Sequence, residues 1–179
     1  EYSRGIYEME KRLTENPHPS LQYFKNQVTG PITIGLGRVD ENKKAIYYNE
    51  MFRDIIIKGV EMKARWLLKK FNFLGCDQIC HIDEPILSGF GSSTYVSVNR
   101  QDVVKYLNEV IEALHKENVL TGTHCCGNTE WTILIDAGVD IISFDAYEYA
   151  ETIGYYYERI KEFLENGGVL AWGIVPTSE

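Results

Sequence analysis

The sequence predicts an α/β fold in which the chain forms part of a (β/α)8 barrel of the TIM type. Five apolar segments, near residues 32, 78, 119, 140 and 169, have the character of strands, and helical segments alternate with them. Strict alternation with short connections predicts parallel pairing through right-handed crossovers. A closed barrel needs eight strands and about 250 residues. A chain of 179 residues with about five parallel strands is therefore expected to be a single, incomplete domain.

A doubly wound sheet is the alternative arrangement for alternating strands and helices. It requires a glycine fingerprint directly after the first strand, and Gly35-Leu36-Gly37-Arg38 lacks the rest of that fingerprint. Polar residues instead follow several of the predicted strands, and the carboxyl ends of the strands are where a barrel has its active site. These two observations favour the barrel.

The first 27 residues are predicted to form a helical lead-in. An amphipathic pattern indicates a first helix that ends near Pro17, and a second short helix is predicted over residues 21–26. Gly30-Pro31 then interrupts the chain, and residues 32–36 are predicted to form the first strand.

The later elements follow from periodicity and capping. A long helix from about residue 45 to 73 ends at Gly75, and Asn99 is predicted to cap the next long helix with Asp102 as its capping-box partner. The remaining predicted elements are a strand over residues 78–82, a strand near residue 119, a short helix over 131–137, a strand over 140–147, a helix over 151–165 and a strand over 169–175.

Composition narrows the class of protein. The net charge of -8 and the absence of a Lys/Arg cluster argue against a surface that binds nucleic acid. No apolar run is long enough to cross a membrane, and no signal peptide begins the chain, so a cytoplasmic protein is expected. Four cysteines are too few for a small disulfide scaffold, and they indicate metal binding, redox chemistry or packing.

Polar side chains gather at four predicted strand ends, of which the last is the Pro176-Thr177-Ser178-Glu179 segment. His81, Asp83 and Glu84 follow one strand, and His124 and Cys126 follow the next. Because side chains two apart in a strand point the same way, His124 and Cys126 are expected to project together, with Cys125 directed away from them.

Alternation in the next predicted strand gives Asp145 an inward orientation beside that pair. His124, Cys126 and Asp145 are then three candidate ligands for a zinc ion. Structural alternatives remain for all of these residues, because a buried cysteine is usually an apolar filler and a lone histidine is usually hydrogen-bonded. Asp145 is equally suited to capping the following helix, the Asp83-Glu84-Pro85 segment to ending a strand, and His81 to a hydrogen-bonded interior position.

Four segments, in this order and spacing, resemble a known family: the catalytic (C-terminal) domain of cobalamin-independent methionine synthase. That family belongs to a superfamily of barrels shared with uroporphyrinogen decarboxylase and the corrinoid-protein:thiol methyltransferases. The four segments are Val28-Thr29-Gly30-Pro31-Ile32-Thr33, His81-Ile82-Asp83-Glu84-Pro85, Thr123-His124-Cys125-Cys126 and Ile142-Ser143-Phe144-Asp145.

The resemblance implies a zinc-dependent methyltransferase that moves a methyl group onto a homocysteine-like thiol. It assigns zinc binding to His124, Cys126 and Asp145, and it assigns the amino group of the acceptor to Asp83. His81 and Glu84 are expected beside the acceptor. Asp145 replaces the usual Glu of the family, and no counterpart of the family's later cysteine ligand lies before the end of the chain.

The methyl donor is open between methyltetrahydrofolate and a methylcorrinoid protein. Two other functions remain alternatives. One is a decarboxylase-like barrel without a catalytic metal, in which Asp83 and basic groups bind a polycarboxylate, and the other is a non-catalytic barrel module.

Overall fold

The computed structural model describes residues 3–176, and these form one parallel sheet with helices packed against it. The sheet has five strands in the order β1-β2-β3-β4-β5, and every neighbouring pair is parallel. The strands are β1 (Tyr23–Thr29), β2 (Asp77–Asp83), β3 (Leu120–Cys125), β4 (Ile141–Phe144) and β5 (Val169–Trp172).

Seven α-helices are found in the described part of the chain. Among them, α3, α4 and α7 make the most extensive contacts with the strands. The helices are α1 (Arg4–Glu15), α2 (Pro31–Leu36), α3 (Glu50–Phe71), α4 (Arg100–His115), α5 (Thr132–Asp136), α6 (Ala146–Ile153) and α7 (Tyr157–Glu165).

The start of the sheet differs from the prediction. Residues 32–36, predicted as the first strand, lie in helix α2, and residues 21–26, predicted as a helix, belong mainly to strand β1. Pro31 stands in the first turn of α2, where its missing N–H and fixed φ suit a helix. Strand β1 is a polar edge strand, and its seven residue pairs with β2 determine its conformation more than its own composition does.

The later elements agree more closely with the prediction. Helix α4 begins after Asn99, whose side-chain oxygen accepts hydrogen bonds from the N–H groups of Gln101 (2.7 Å) and Asp102 (3.4 Å). The predicted helix over 151–165 is divided into α6 and α7 by a 3-10 turn that begins at Gly154. The predicted strands over 140–147 and 169–175 end earlier, at Phe144 and Trp172.

The two faces of the sheet have different environments. Val28, Cys80, Ile82, Ile142 and Phe144 belong to one buried core, together with residues of α3, α4 and α5. Because side chains alternate along a strand, the intervening residues lie on the opposite face. We call this the open face, and its polar and glycine members are Tyr23, Lys25, Gln27 and Thr29 of β1, Asp77, His81 and Asp83 of β2, Gly122 and His124 of β3, and Ser143 of β4.

A parallel sheet normally has both faces covered. Here the strand order follows the chain and one face packs against helices, an arrangement consistent with part of an α/β barrel. None of the helices between residues 3 and 176 combines the length and the apolar character needed to cross a bilayer.

Candidate functional site

Three polar side chains form a row at the carboxyl ends of neighbouring strands. Asp83 of β2 is the register partner of His124 in β3, and His124 is the partner of Ser143 in β4. Adjacent strands lie about 4.8 Å apart. Two members of the row are in direct contact, because His124 Nδ1 lies 3.1 Å from Ser143 Oγ. Parallel pairing therefore brings an acid, an imidazole and a hydroxyl together on the open face.

His81 forms a second row beneath this one, beside Gln27 and Gly122. Its ring lies against Gly122 so closely that a Cβ there would be 2.5 Å from His81 Nε2. The side chain is only 4% exposed, and its Nδ1 has no hydrogen-bond partner among the described residues. Burial, with the charges of Lys25 and His124, lowers the pKa of His81 to about 4, so the ring is neutral at pH 7.

Asp83 is half-buried at the edge of the open face. Burial raises the pKa of its carboxyl group, while the nearby His124 and Lys25 act in the opposite direction. The family resemblance predicts a role for Asp83 in binding the acceptor, and the structure gives Asp83 a position on the same face as His81 and His124. These side chains could contact one small molecule that lies across the carboxyl ends of the strands.

Glu84 points away from that face. It is fully buried, and its carboxylate accepts hydrogen bonds from Ile32 N–H (2.9 Å), Thr33 N–H (2.7 Å) and the Thr33 hydroxyl (2.6 Å) at the start of α2. Burial raises the pKa of Glu84 to about 7, although these hydrogen bonds oppose the shift. Glu84 was predicted to lie beside the acceptor. In the structure it instead fixes α2 against the segment that carries Asp83.

The three predicted zinc ligands have suitable donor atoms. His124 has one ring nitrogen at Ser143 and the other turned to no described partner, and Cys126 is an exposed free thiol directly after β3. Asp145 stands at the N-cap position of α6, yet its side chain makes no capping hydrogen bond. Cys125 is buried, as predicted from alternation, and burial raises the pKa of its thiol to about 11.

The three side chains carry suitable donor atoms, but their positions do not form a complete metal site. Within residues 3–176, no three His, Cys, Asp or Glu side chains come together in a group that could hold a metal ion. His124, Cys126 and Asp145 thus fit zinc in donor type and availability, but they are not gathered around a common centre. Ser143, rather than Asp145, is the β4 residue in contact with His124.

The loop that carries Cys126 is held by the segment after β2. A Cβ at Gly127 would lie 2.6 Å from the Cβ of Ser88, and the Thr129 hydroxyl donates to the Leu87 carbonyl oxygen (2.8 Å). Close backbone approach at Gly127 therefore positions Cys126 relative to the strand end that carries Asp83.

Sequence reasoning missed Lys25, Gln27 and Ser143 as members of this site. Lys25 and Gln27 were hidden by the prediction of a helical lead-in over residues 1–27. The alternation of Phe24, Asn26 and Val28 with exposed polar residues could have indicated a strand. Alternation places Ser143 on the same face as Asp145, but its contact with His124 depends on the register between β3 and β4.

Comparison of the chain with models of protein families, with curated proteins and with solved structures found no match.

Proposed function

We propose that the protein is a zinc-dependent methyltransferase that acts on a small thiol at the carboxyl ends of its strands. The observation that carries the proposal is the row of Asp83, His124 and Ser143, with the exposed thiol of Cys126 beside its central member. The four segments that resemble the methionine synthase family include each of these residues. Their order in the chain matches their order across the sheet.

The proposal treats the sheet as part of a TIM-type barrel. Support comes from the consecutive strand order and from the helices packed on one face of the sheet. In such a barrel the open face is the interior and the carboxyl ends of the strands form the mouth of the active site. The position of Asp83 and His124 at those ends agrees with that reading.

In the proposed reaction the acceptor thiol loses its proton, and its sulfur forms the new bond to the methyl carbon. The bond between the methyl group and its donor breaks, and that electron pair stays with the donor. The proton released by the thiol passes to solvent or to the demethylated donor. Asp83 binds the ammonium group of the acceptor as a charge-assisted hydrogen-bond acceptor. Ser143 fixes the orientation of the His124 ring, since a partner on one ring nitrogen sets the direction of the other.

His124, Cys126 and Asp145 would hold the metal. Bound zinc would supply acidity, because a thiol that coordinates a metal is deprotonated at neutral pH. The donor is a methyltetrahydrofolate or a methylcorrinoid protein, and the open face has no feature that selects between them. We also place the reaction in the cytoplasm, where four free cysteines stay reduced.

A metal-free, decarboxylase-like function is the second candidate. Lys25, His81, Asp83 and His124 together form an acid–base cluster on the open face, and no three-donor metal group is formed between residues 3 and 176. Such a cluster could bind a polycarboxylate and transfer protons without a metal ion.

Zinc content separates the two candidates. We expect stoichiometric zinc in the wild-type protein, strong loss of zinc in His124→Ala and Cys126→Ala, and normal zinc in the control Cys76→Ala, whose half-buried thiol lies before β2. The same variants are assayed for methyl transfer to homocysteine with each donor, and circular dichroism checks their folding. Unchanged zinc in both site variants would rule out the proposed ligands. Decarboxylation by a zinc-free wild-type protein would favour the second candidate.

A further inference from the structure

Asn166 is followed directly by Gly167 at the junction between helix α7 and strand β5. It is the only asparagine of the chain that precedes a glycine. Both residues are exposed, and Asn166 stands at the C-cap position of α7. The side-chain amide of an asparagine can be attacked by the backbone nitrogen of the next residue, and glycine hinders this attack least because it has no Cβ. The junction therefore combines a reactive pair of residues with access to water.

Two hydrogen bonds close the C-terminus of α7 in a Schellman motif. Gly167 N–H donates to the Leu164 carbonyl oxygen (3.0 Å), and Gly168 N–H donates to the Phe163 carbonyl oxygen (2.9 Å). Gly167 has a positive φ of 90°, and nothing lies within 4 Å of a Cβ built there. Because these bonds lie at an exposed helix end, local opening is enough to free the Gly167 nitrogen while the core stays folded.

We propose that Asn166 is a site of spontaneous deamidation and that this modification releases the start of strand β5. In the first step the Gly167 nitrogen loses its proton to base and attacks Asn166 Cγ. The new C–N bond closes a cyclic imide, and the side-chain nitrogen leaves as ammonia. Water then adds to either carbonyl carbon of the imide and opens the ring. The products are aspartate and isoaspartate, and water is the only reagent consumed.

Either product places a carboxylate at the C-terminus of α7. A negative charge is unfavourable at this end of a helix dipole, and α7 has no basic residue in its last turn to offset it. Glu162 lies four residues before Asn166, and like charges at this helical spacing repel each other. The modification therefore weakens the end of the helix.

Isoaspartate also adds one atom to the backbone just before β5 begins. Gly168 packs so closely on the Phe163 ring that a Cβ there would lie 2.5 Å from two ring atoms. The next residue, Val169, makes the first hydrogen bond of β5, from its N–H to the Asp140 carbonyl oxygen (2.9 Å). The extra atom changes the length of chain between the end of α7 and this bond, so we expect the bond to be lost. Strand β5 has four residues and is paired with β4 at one edge of the described sheet, so it has few other hydrogen bonds to hold it.

The test follows the full chain during prolonged incubation in mildly alkaline buffer. Peptide mass spectrometry measures deamidation at each asparagine, and hydrogen exchange measures the protection of residues 169–172. Asn72 is the internal control, because it is also exposed at the C-cap of a helix, α3, but is followed by Phe73. The variant Asn166→Gln keeps an amide but closes its ring much less readily. The variant Asn166→Asp supplies the charge without a change in backbone length.

We expect deamidation at Asn166 to exceed that at Asn72 at every time point and to accelerate as the pH rises, with isoaspartate among the products. Protection of residues 169–172 should fall in the incubated wild type in step with the modification, and it should stay unchanged in incubated Asn166→Gln. Asn166→Asp should lower the equilibrium constant for folding about 2- to 5-fold, the effect of one unfavourable charge at a helix terminus.

Equal deamidation at the two asparagines, or none at Asn166, would overturn the assignment of the site. Undiminished protection of residues 169–172 in protein that is fully modified at Asn166 would overturn the proposed effect on β5. Neither readout involves zinc or methyl transfer, so the result is independent of the proposed function.

Discussion

Glu84 and Gly30 are in such close contact that no side chain can be accommodated at residue 30. A Cβ at Gly30 would lie 2.1 Å from Glu84 Oε1, and the same oxygen accepts the hydrogen bond from Ile32 N–H. Two segments that are more than fifty residues apart in the chain are thereby joined at the edge of the candidate site. The absence of a side chain at Gly30 therefore leaves the space that the Glu84 carboxylate occupies.

Gly30→Ala should destabilise the protein by about 1–3 kcal/mol, because the new methyl group displaces the Glu84 carboxylate from its donors. Gly59→Ala in α3 is the control, since nothing lies within 4 Å of a Cβ there and alanine is the better helix residue. Urea unfolding measures both. Equal stability of the two variants would contradict the close contact.

The pH dependence of stability should reveal the titration of Glu84. Its pKa in the folded protein, about 7, is above the ordinary value of 4.5, so the folded state holds the proton more tightly than the unfolded state. This contribution to stability is fully present below about pH 4.5 and is lost as the pH rises to about 7. We expect the free energy of unfolding of the wild type, relative to Glu84→Gln, to fall across this interval.

The glutamine variant keeps one oxygen acceptor but cannot ionise, so it should also carry a pH-independent loss from a misplaced amide. Exposed Glu151→Gln on α6 serves as the control. Parallel stability curves for wild type and Glu84→Gln between pH 4.5 and 7 would refute the prediction.

Gly122→Ala should force the His81 ring away from β3. The added Cβ would meet Nε2, Cδ2 and Cε1 of His81 at 2.5–2.9 Å, which predicts a destabilisation of about 1–3 kcal/mol. In a His81→Ala background the same change should have little effect, since the clash is gone. A double-mutant cycle by chemical denaturation gives the coupling energy, and a value near zero would show that the two residues do not interact.

Ser143→Ala should lower zinc affinity about 10- to 100-fold, the usual effect of removing a partner that orients a metal-binding histidine. The contact removed is the one between Ser143 Oγ and His124 Nδ1. Ser143→Thr retains the hydroxyl and should retain the affinity. Competition with a chelator measures zinc binding, and equal affinities in the alanine and threonine variants would argue against this role.

Most of the sheet could be predicted from the sequence, because β2, β3, β4 and β5 carry their own apolar signal. Strand β1 could not be predicted in this way. Its open face consists of Tyr23, Lys25, Gln27 and Thr29, and its conformation depends on pairing with β2, which is distant in the chain. Helix α2 was missed for a related reason, since its first turn is stabilised by the remote carboxylate of Glu84.

The candidate site could be predicted in part. Strand alternation correctly predicted that His124 lies on the open face and that Cys125 lies in the core. It could not predict that Glu84 turns inwards, because the donors for that carboxylate come from residues 32 and 33. It also could not predict that the row at His124 is completed by Ser143, since this depends on the register between β3 and β4.

The neighbouring cysteines after β3 give the protein an internal reporter of its own site. Cys126 is open to solvent, whereas Cys125 is buried and its thiol donates to the Gly127 carbonyl oxygen at 3.4 Å. An alkylating reagent will thus mark one sulfur of the pair and leave its neighbour intact for as long as the fold persists. Peptide mass spectrometry on the unaltered chain can then follow occupancy at the first sulfur and unfolding at the second within a single sample.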